Sequence, residues 1–247
     1  MKSAAIVLLG LLLGAAQGAR AQDTVRNYGN ELSKTLTKYY VTVFWKGPSW
    51  RTGTEGLLEK RAAESKDLHN LVKAGKLVGI VKTYSDPSCK LLAFFKTDTK
   101  EEVQAIAESM LIVKEKVVTP EYVEVWGTRG MGKAMREQMG DRTKRASNRT
   151  YYIGFFKKGD NWSANAPDDS IRAWAQGHAQ RALEMMGTGE LKFYGAIEGN
   201  NPLRVIGIYA ADNLDAAKQR LAEAPSVKNG WFTAETYACS ILDGVLP

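Results

Sequence analysis

The chain has 247 residues, with 34 Lys and Arg against 27 Asp and Glu, 44% hydrophobic and 25% charged residues, and 2 Cys. These proportions describe a globular protein and exclude a disordered tail, a collagen-like rod and a disulfide-dense miniprotein.

The first residues read as an export signal. Lys2 is a positive n-region, Ala4 to Leu13 is a short apolar run, and Ala19-Arg20-Ala21 has the small-x-small pattern of a cleavage site. The run falls short of the roughly 20 apolar residues of a spanning helix. Residues 1–21 are therefore expected to be removed, giving a periplasmic or secreted chain that starts near Gln22 and has no membrane partner. Loss of Lys2 and Arg20 lowers the net charge from +7 to about +5.

Residues 22–38 read as a leader, and after them the sequence repeats itself. Tyr39, Tyr40, Phe44, Lys46, Gly47 and Trp50 return at constant offset as Tyr151, Tyr152, Phe156, Lys158, Gly159 and Trp162. The first unit, residues 39–126, begins with a strand at Tyr39–Lys46. A helix from about Glu55 to Ala74 follows, with Gly75 as its stop signal. Strands at Leu77–Tyr84 and Leu91–Lys96 flank the turn cluster Ser85-Asp86-Pro87-Ser88. Asp98 or Thr99 caps a second helix, and Glu121–Trp126 is the last strand. The order β-α-β-β-α-β is the ferredoxin-like unit.

A connector, residues 127–150, carries seven basic side chains (Arg129, Lys133, Arg136, Arg142, Lys144, Arg145, Arg149) against Glu137 and Asp141. Their balance equals the whole mature charge excess, so the rest of the mature chain is neutral and nucleic acid is not an expected partner. Met131, Met135 and Met139 at i, i+4 and i+8 predict an amphipathic helix there.

The second unit, residues 151–247, runs through Tyr151–Lys157, a helix from about Pro167 to Met186, Leu191–Ile197, a turn at Gly199-Asn200-Asn201-Pro202 and Leu203–Ala210. Asp212 then caps a helix to about Ala224, before a strand at Thr233–Leu242. Each unit leaves one sheet face to be covered. The predicted fold class is α+β, two ferredoxin-like units packed as an intramolecular pseudo-dimer, monomeric as a chain.

The second unit resembles the YCII-related (YciI-like) family of the dimeric α+β barrel superfamily. The resemblance is carried by the Tyr152–Phe156 strand, His178, Gly189-Glu190-Leu191 with Gly195, and the run Ala224-Pro225-Ser226-Val227-Lys228-Asn229-Gly230-Trp231-Phe232-Thr233-Ala234-Glu235. The first unit is similar at Tyr40–Gly47, Gly75-Lys76-Leu77 and Val123–Trp126. The resemblance implies an acid/base pair in a cleft, a His with an Asp that orients it. Here the His is His178, but the Asp position is Ala224. In the first unit the His position is Glu64, the Asp position falls at Ser109-Met110, and His69 lies on another helical face. The resemblance also implies that strand two of one half lies near strand four of the other. A disulfide between Cys89 and Cys239 is expected on that basis, export permitting it.

His178 shares a helical stripe with Ile171, Trp174, Ala182 and Met185. It reads either as a buried structural His or as a ligand or proton-transfer group. Arg61 and Glu64, at i and i+3, form either a peripheral pair or part of a cleft. Tyr40, Trp50, Tyr152 and Trp162 are either core residues or a ligand-binding set. Asn148-Arg149-Thr150 and Asn161-Trp162-Ser163 match glycosylation sequons, patterns short enough to arise by chance.

With two His and widely spaced Cys, no metal site is expected, and no nucleotide or nucleophile-elbow motif implies a cofactor. The leading expectation is an exported small-molecule-binding or structural module. Its alternative is a divergent lyase or isomerase using His178 as general acid/base in the inter-unit cleft, with Glu64 or a Tyr in place of the missing Asp.

Overall fold

A computed structural model describes residues 31–51, 66–84, 88–138, 147–162 and 168–247, with the backbone alone at 66–67, 137–138 and 168–176. The signal segment, Arg61, Glu64, the turn at 85–87 and Met139 lie outside the described residues.

The protein is α+β with eight strands among the described residues, β1(Leu36–Lys46), β2(Leu77–Thr83), β3(Cys89–Phe95), β4(Val118–Thr128), β5(Asn148–Lys158), β6(Leu191–Ile197), β7(Leu203–Tyr209) and β8(Phe232–Leu242). Among the described residues, after a helical segment at 31–35, the helices are α1(Lys66–Lys73), α2(Lys100–Ser109), α3(Leu111–Lys114), α4(Lys133–Gln138), α5(Asp168–Gly187), α6(Leu214–Ala222) and α7(Pro225–Lys228). The succession strand, helix, strand, strand, helix pair, strand runs from β1 to β4 and again from β5 to β8.

The chain divides into two compact units. Of the described residues, the N-terminal unit holds those within 38–125, 130–150 and 237–247; the C-terminal unit holds 31–37, 126–129 and those within 151–236. The division falls inside β4 and β8; β4 is longer than the expected Glu121–Trp126, whereas β8 matches the expected Thr233–Leu242 to within one residue.

Within the N-terminal unit the strand order is β4-β1-β3-β2, with the end of β8 added beside β2. Tyr40 pairs with Phe95, Thr42 with Ala93, and Val81 with Ile241. Its core joins Tyr40, Phe44, Leu77, Phe95, Val103, Ala107, Ile112 and Val118. α2 starts where the Thr99 hydroxyl accepts from the Glu102 amide at 3.2 Å, satisfying one of the donors a helix start leaves open.

The C-terminal unit orders its strands β8-β5-β7-β6, with the end of β4 beside β6. Tyr152 pairs with Tyr209 and Gly154 with Gly207. Phe155, Phe156, Ile153, Phe193, Ile206, Ile208 and Leu221 fill its core. The N-cap of α6 is Asn213, whose side chain accepts from the Ala216 amide at 2.8 Å, and not Asp212 as expected. Either side chain can cap a helix; the turn places Asn213 three residues before the amide that needs it.

Among its described residues the connector is helical over α4. Met131 and Met135 are buried, as an apolar face requires, but β4 continues to Thr128 and β5 begins at Asn148.

The expected disulfide is not formed. Cys89 and Cys239 are both buried thiols. β2 does pair with β8, but Thr83 of β2 is the residue opposite Cys239, while Cys89 lies on β3 at the other side of β2. Two strand spacings put the cysteines roughly 9–10 Å apart, beyond the ~7 Å that a disulfide spans.

Candidate functional site

The repeated aromatic residues occupy a turn that recurs in both units. Lys46 N donates to Ser88 O, Gly47 N to Val117 O, Ser49 N to Lys116 O and Trp50 N to Gly47 O. The counterparts are Lys158 N to Pro202 O, Gly159 N to Trp231 O, Asn161 N to Gly230 O and Trp162 N to Gly159 O. A Cβ on Gly47 would lie 2.2 Å from Lys116 O, and one on Gly159 2.3 Å from Gly230 O.

Each Trp then lies under two cations. Lys46 and Lys90 stand 5.9 and 4.9 Å from the Trp50 ring, Lys158 and Arg204 5.6 and 5.4 Å from Trp162. Trp162 also stacks on Phe232 at 5.8 Å. Such contacts hold a loop against a sheet. Tyr40 and Tyr152 are buried strand residues.

A small, partly open cavity with a volume of about 20 Å³ lies within the C-terminal unit, between the sheet and helices α5, α6 and α7. His178 is in its wall, and Tyr40, Trp50, Tyr152 and Trp162 are not. His178 Nδ1 is 3.3 Å from Ser226 Oγ. The residue keeps partial exposure, but its Nε2 is sealed from solvent. Phe156, Phe232 and Tyr194 stand 6.0, 5.8 and 5.7 Å from the imidazole, the two Phe rings nearly perpendicular to it. Burial pulls the His178 pKa down to about 4, so the ring is neutral at pH 7.

The remaining polar wall is Arg181, Arg220, Tyr194 and Tyr209. Burial raises both phenols far above their ordinary range, so they are protonated donors. Tyr209 is seated on a glycine pair: a Cβ on Gly207 would lie 2.6 Å from its ring, and one on Gly154 3.2 Å. Arg181 Nη2 donates to Arg220 O at 3.4 Å and Arg220 Nη1 to Ala210 O at 2.9 Å. Ala182, Met185, Leu191, Leu221 and Ala224 supply the apolar wall.

Sequence reasoning missed Arg181, Tyr194, Tyr209, Arg220 and Ser226. A position-by-position comparison of the halves would have found four of them. Strand registers and helix caps align Tyr194 with Ile80, Tyr209 with Phe95, Arg220 with Ile106 and Ser226 with Ile112. Only the C-terminal unit is polar at these sites.

Solved structures share this arrangement of elements. A variant of chlorite dismutase from Candidatus Nitrospira defluvii matches with a TM-score of 0.53 and 14% identity, over 86% of this chain and 94% of that one. The enzyme from the same organism in complex with imidazole matches with a TM-score of 0.51 and 14% identity, over the same shares. The fold is that of the chlorite dismutases. The sequence matches no protein-family model and no curated protein.

These neighbours overturn the YCII-related assignment. The motifs behind it carry backbone geometry: Gly75, Gly189 and Gly230 sit at positive φ after helices, and Pro225 opens α7. Any βαββαβ unit with these turns needs such residues, so they report the fold and not the family.

Proposed function

We propose that this protein is an exported small-molecule-binding module whose site is the cavity of the C-terminal unit. The state of His178 carries this reading. A general acid/base at neutral pH works best with a pKa near 7, whereas burial holds this imidazole near 4. The group within reach of its Nδ1 is the neutral hydroxyl of Ser226, at 3.3 Å. A lyase or isomerase built on His178 is therefore the weaker reading, and Glu64 lies outside the described residues.

The matching turns and the two-fold succession of elements support an origin by duplication, with the halves as an intramolecular pseudo-dimer. The signal-like start supports export.

Chlorite dismutase-like proteins bind small ligands such as haem. The residues here do not fit that group. One imidazole is present in the cavity wall, but three aromatic rings enclose it and the cavity is small for a flat macrocycle. Titration with hemin is expected to leave its absorption spectrum as in buffer; a sharpened, shifted Soret band would reverse this.

The test is a fragment screen by thermal shift on wild type, His178→Ala and Ala224→Phe, the last filling the cavity. Fragments that raise the melting temperature of wild type and not of Ala224→Phe support the reading. Equal shifts in those two proteins would refute it.

A further inference from the structure

We propose that α7 is an acid-released flap: neutral His178 holds it shut over the cavity, and an imidazole that takes up a proton lets it go. The inference stands on the packing of the C-terminal unit; that the opening admits a ligand rests on reading the cavity as a binding site.

The closed cavity has room for about one water, so a wall must move before anything larger enters. The other walls are sheet strands and the longer helices α5 and α6. α7 has four residues, its N-cap Ala224 makes no side-chain bond, and Gly230 follows it at a φ of 69°. It docks on two adjacent residues of α5. Pro225 lies over Gly177, where a Cβ would be 3.9 Å from its ring, and the buried Ser226 places Oγ 3.3 Å from His178 Nδ1. The chain is anchored on either side, where Glu223 N donates to Gln219 O and Asn161 N to Gly230 O. The segment between them is therefore free to swing while the sheet stays in place.

The surroundings of the imidazole suit only its neutral form. Phe156 from β5 and Phe232 from β8 bring no charge, and Tyr194 from β6 and Tyr209 from β7 are protonated phenols. Arg181 from α5 and Arg220 from α6 are cations, and Arg204 from β7 acts on Tyr194. Among the described residues no carboxylate lines the cavity; Glu190 is 3.5 Å from Arg220 Nε and is not in the wall. Burial opposes an imidazolium here, and two guanidiniums in the same wall do nothing to relieve it. Burial brings the closed imidazole down to about 4, whereas a ring released to water returns to about 6.5. The open form thus binds the proton more tightly, and acid drives opening, on the order of a hundredfold between pH 7 and pH 4. In the N-terminal unit Ile112 of α3 stands at the position of Ser226, within the apolar core, and offers no such contact.

The test is the reaction of the Ser226→Cys thiol, close in shape to the buried hydroxyl, with 4,4′-dithiodipyridine at pH 7 and pH 4. Each rate is divided by that of the same variant unfolded in urea. The ratio is expected to rise on the order of a hundredfold at pH 4, while the buried Cys89 and Cys239 stay unreactive. Adding His178→Gln is expected to abolish the rise. A ratio unchanged by pH, a rise that survives His178→Gln, or reaction of Cys89 and Cys239 over the same range would each overturn the flap. Amide exchange in the wild-type chain, corrected for intrinsic rates, is expected to quicken at Val227, Lys228 and Asn229 and not in the pairing of β5 with β7. It decides the matter if Ser226→Cys does not fold, and loss of protection in both places together would overturn the flap. Fragments that bind at pH 4 and not at pH 7 support the opening as the way in. A flap that opens while no fragment binds at either pH leaves this device standing and removes the binding reading.

Discussion

Gly47 and Gly159 show why the repeated Lys-Gly-x-x-Trp segment recurs. Each admits a carbonyl where any Cβ would collide with it, and the Trp that follows is clamped between cations. Gly159→Ala is expected to destabilise the fold by roughly 2 kcal/mol in urea unfolding, because the obstacle is backbone and cannot rotate away. The carbonyls on the far side come from Lys116 and Gly230, with φ of 57° and 69°. Lys116 is a side-chain-bearing residue in the left-handed region, where the cost is roughly 1–2 kcal/mol. Lys116→Gly is expected to be stabilising by up to about 1 kcal/mol, the relief being partly offset by the entropy of Gly. His178 gives a pH dependence of definite sign. Its folded pKa lies near 4, below the ordinary 6.5. The unfolded chain therefore binds the extra proton first, and stability falls as pH drops from about 6.5 towards 4, by up to roughly 3 kcal/mol. His178→Gln is expected to lose that part of the pH profile in thermal unfolding.

Strand β2 decides what the cysteines can do. It lies between β3 and β8, so Cys89 and Cys239 are held apart by a strand whose Thr83 bonds the Cys89 carbonyl. Reductant is expected to leave the melting temperature unchanged, and both thiols should react with a thiol reagent only after unfolding; one mole of disulfide per chain would contradict this. The elements themselves were largely legible. β6 spans the Leu191–Ile197 run that alternation and turn signals marked out, and Thr99 caps α2 as its spacing indicated. The short helices α3 and α7 were missed, because four residues cannot show a period. The site was legible only in His178. Arg181, Tyr194, Tyr209 and Arg220 come from four separate elements, and nothing in their local sequence marks them as neighbours.

At the scale of the whole molecule, the basic excess lies in a connector whose α4 is anchored by Met131 and Met135, with Lys133 exposed. No helix among the described residues is long and apolar enough to cross a membrane. Expression with the native start, followed by mass spectrometry of the exported fraction, is expected to find a chain beginning near Gln22; an intact Met1 there would refute cleavage. The sequence by itself determined the α+β class, the two-fold order of elements and the positions of the turns, because periodicity, caps and glycines act over a few residues. Tertiary structure alone decided that the cysteines stay apart, that His178 is neutral, and that two arginines and two tyrosines share a cavity. Those outcomes depend on strand order and burial, which bring together residues far apart in the chain.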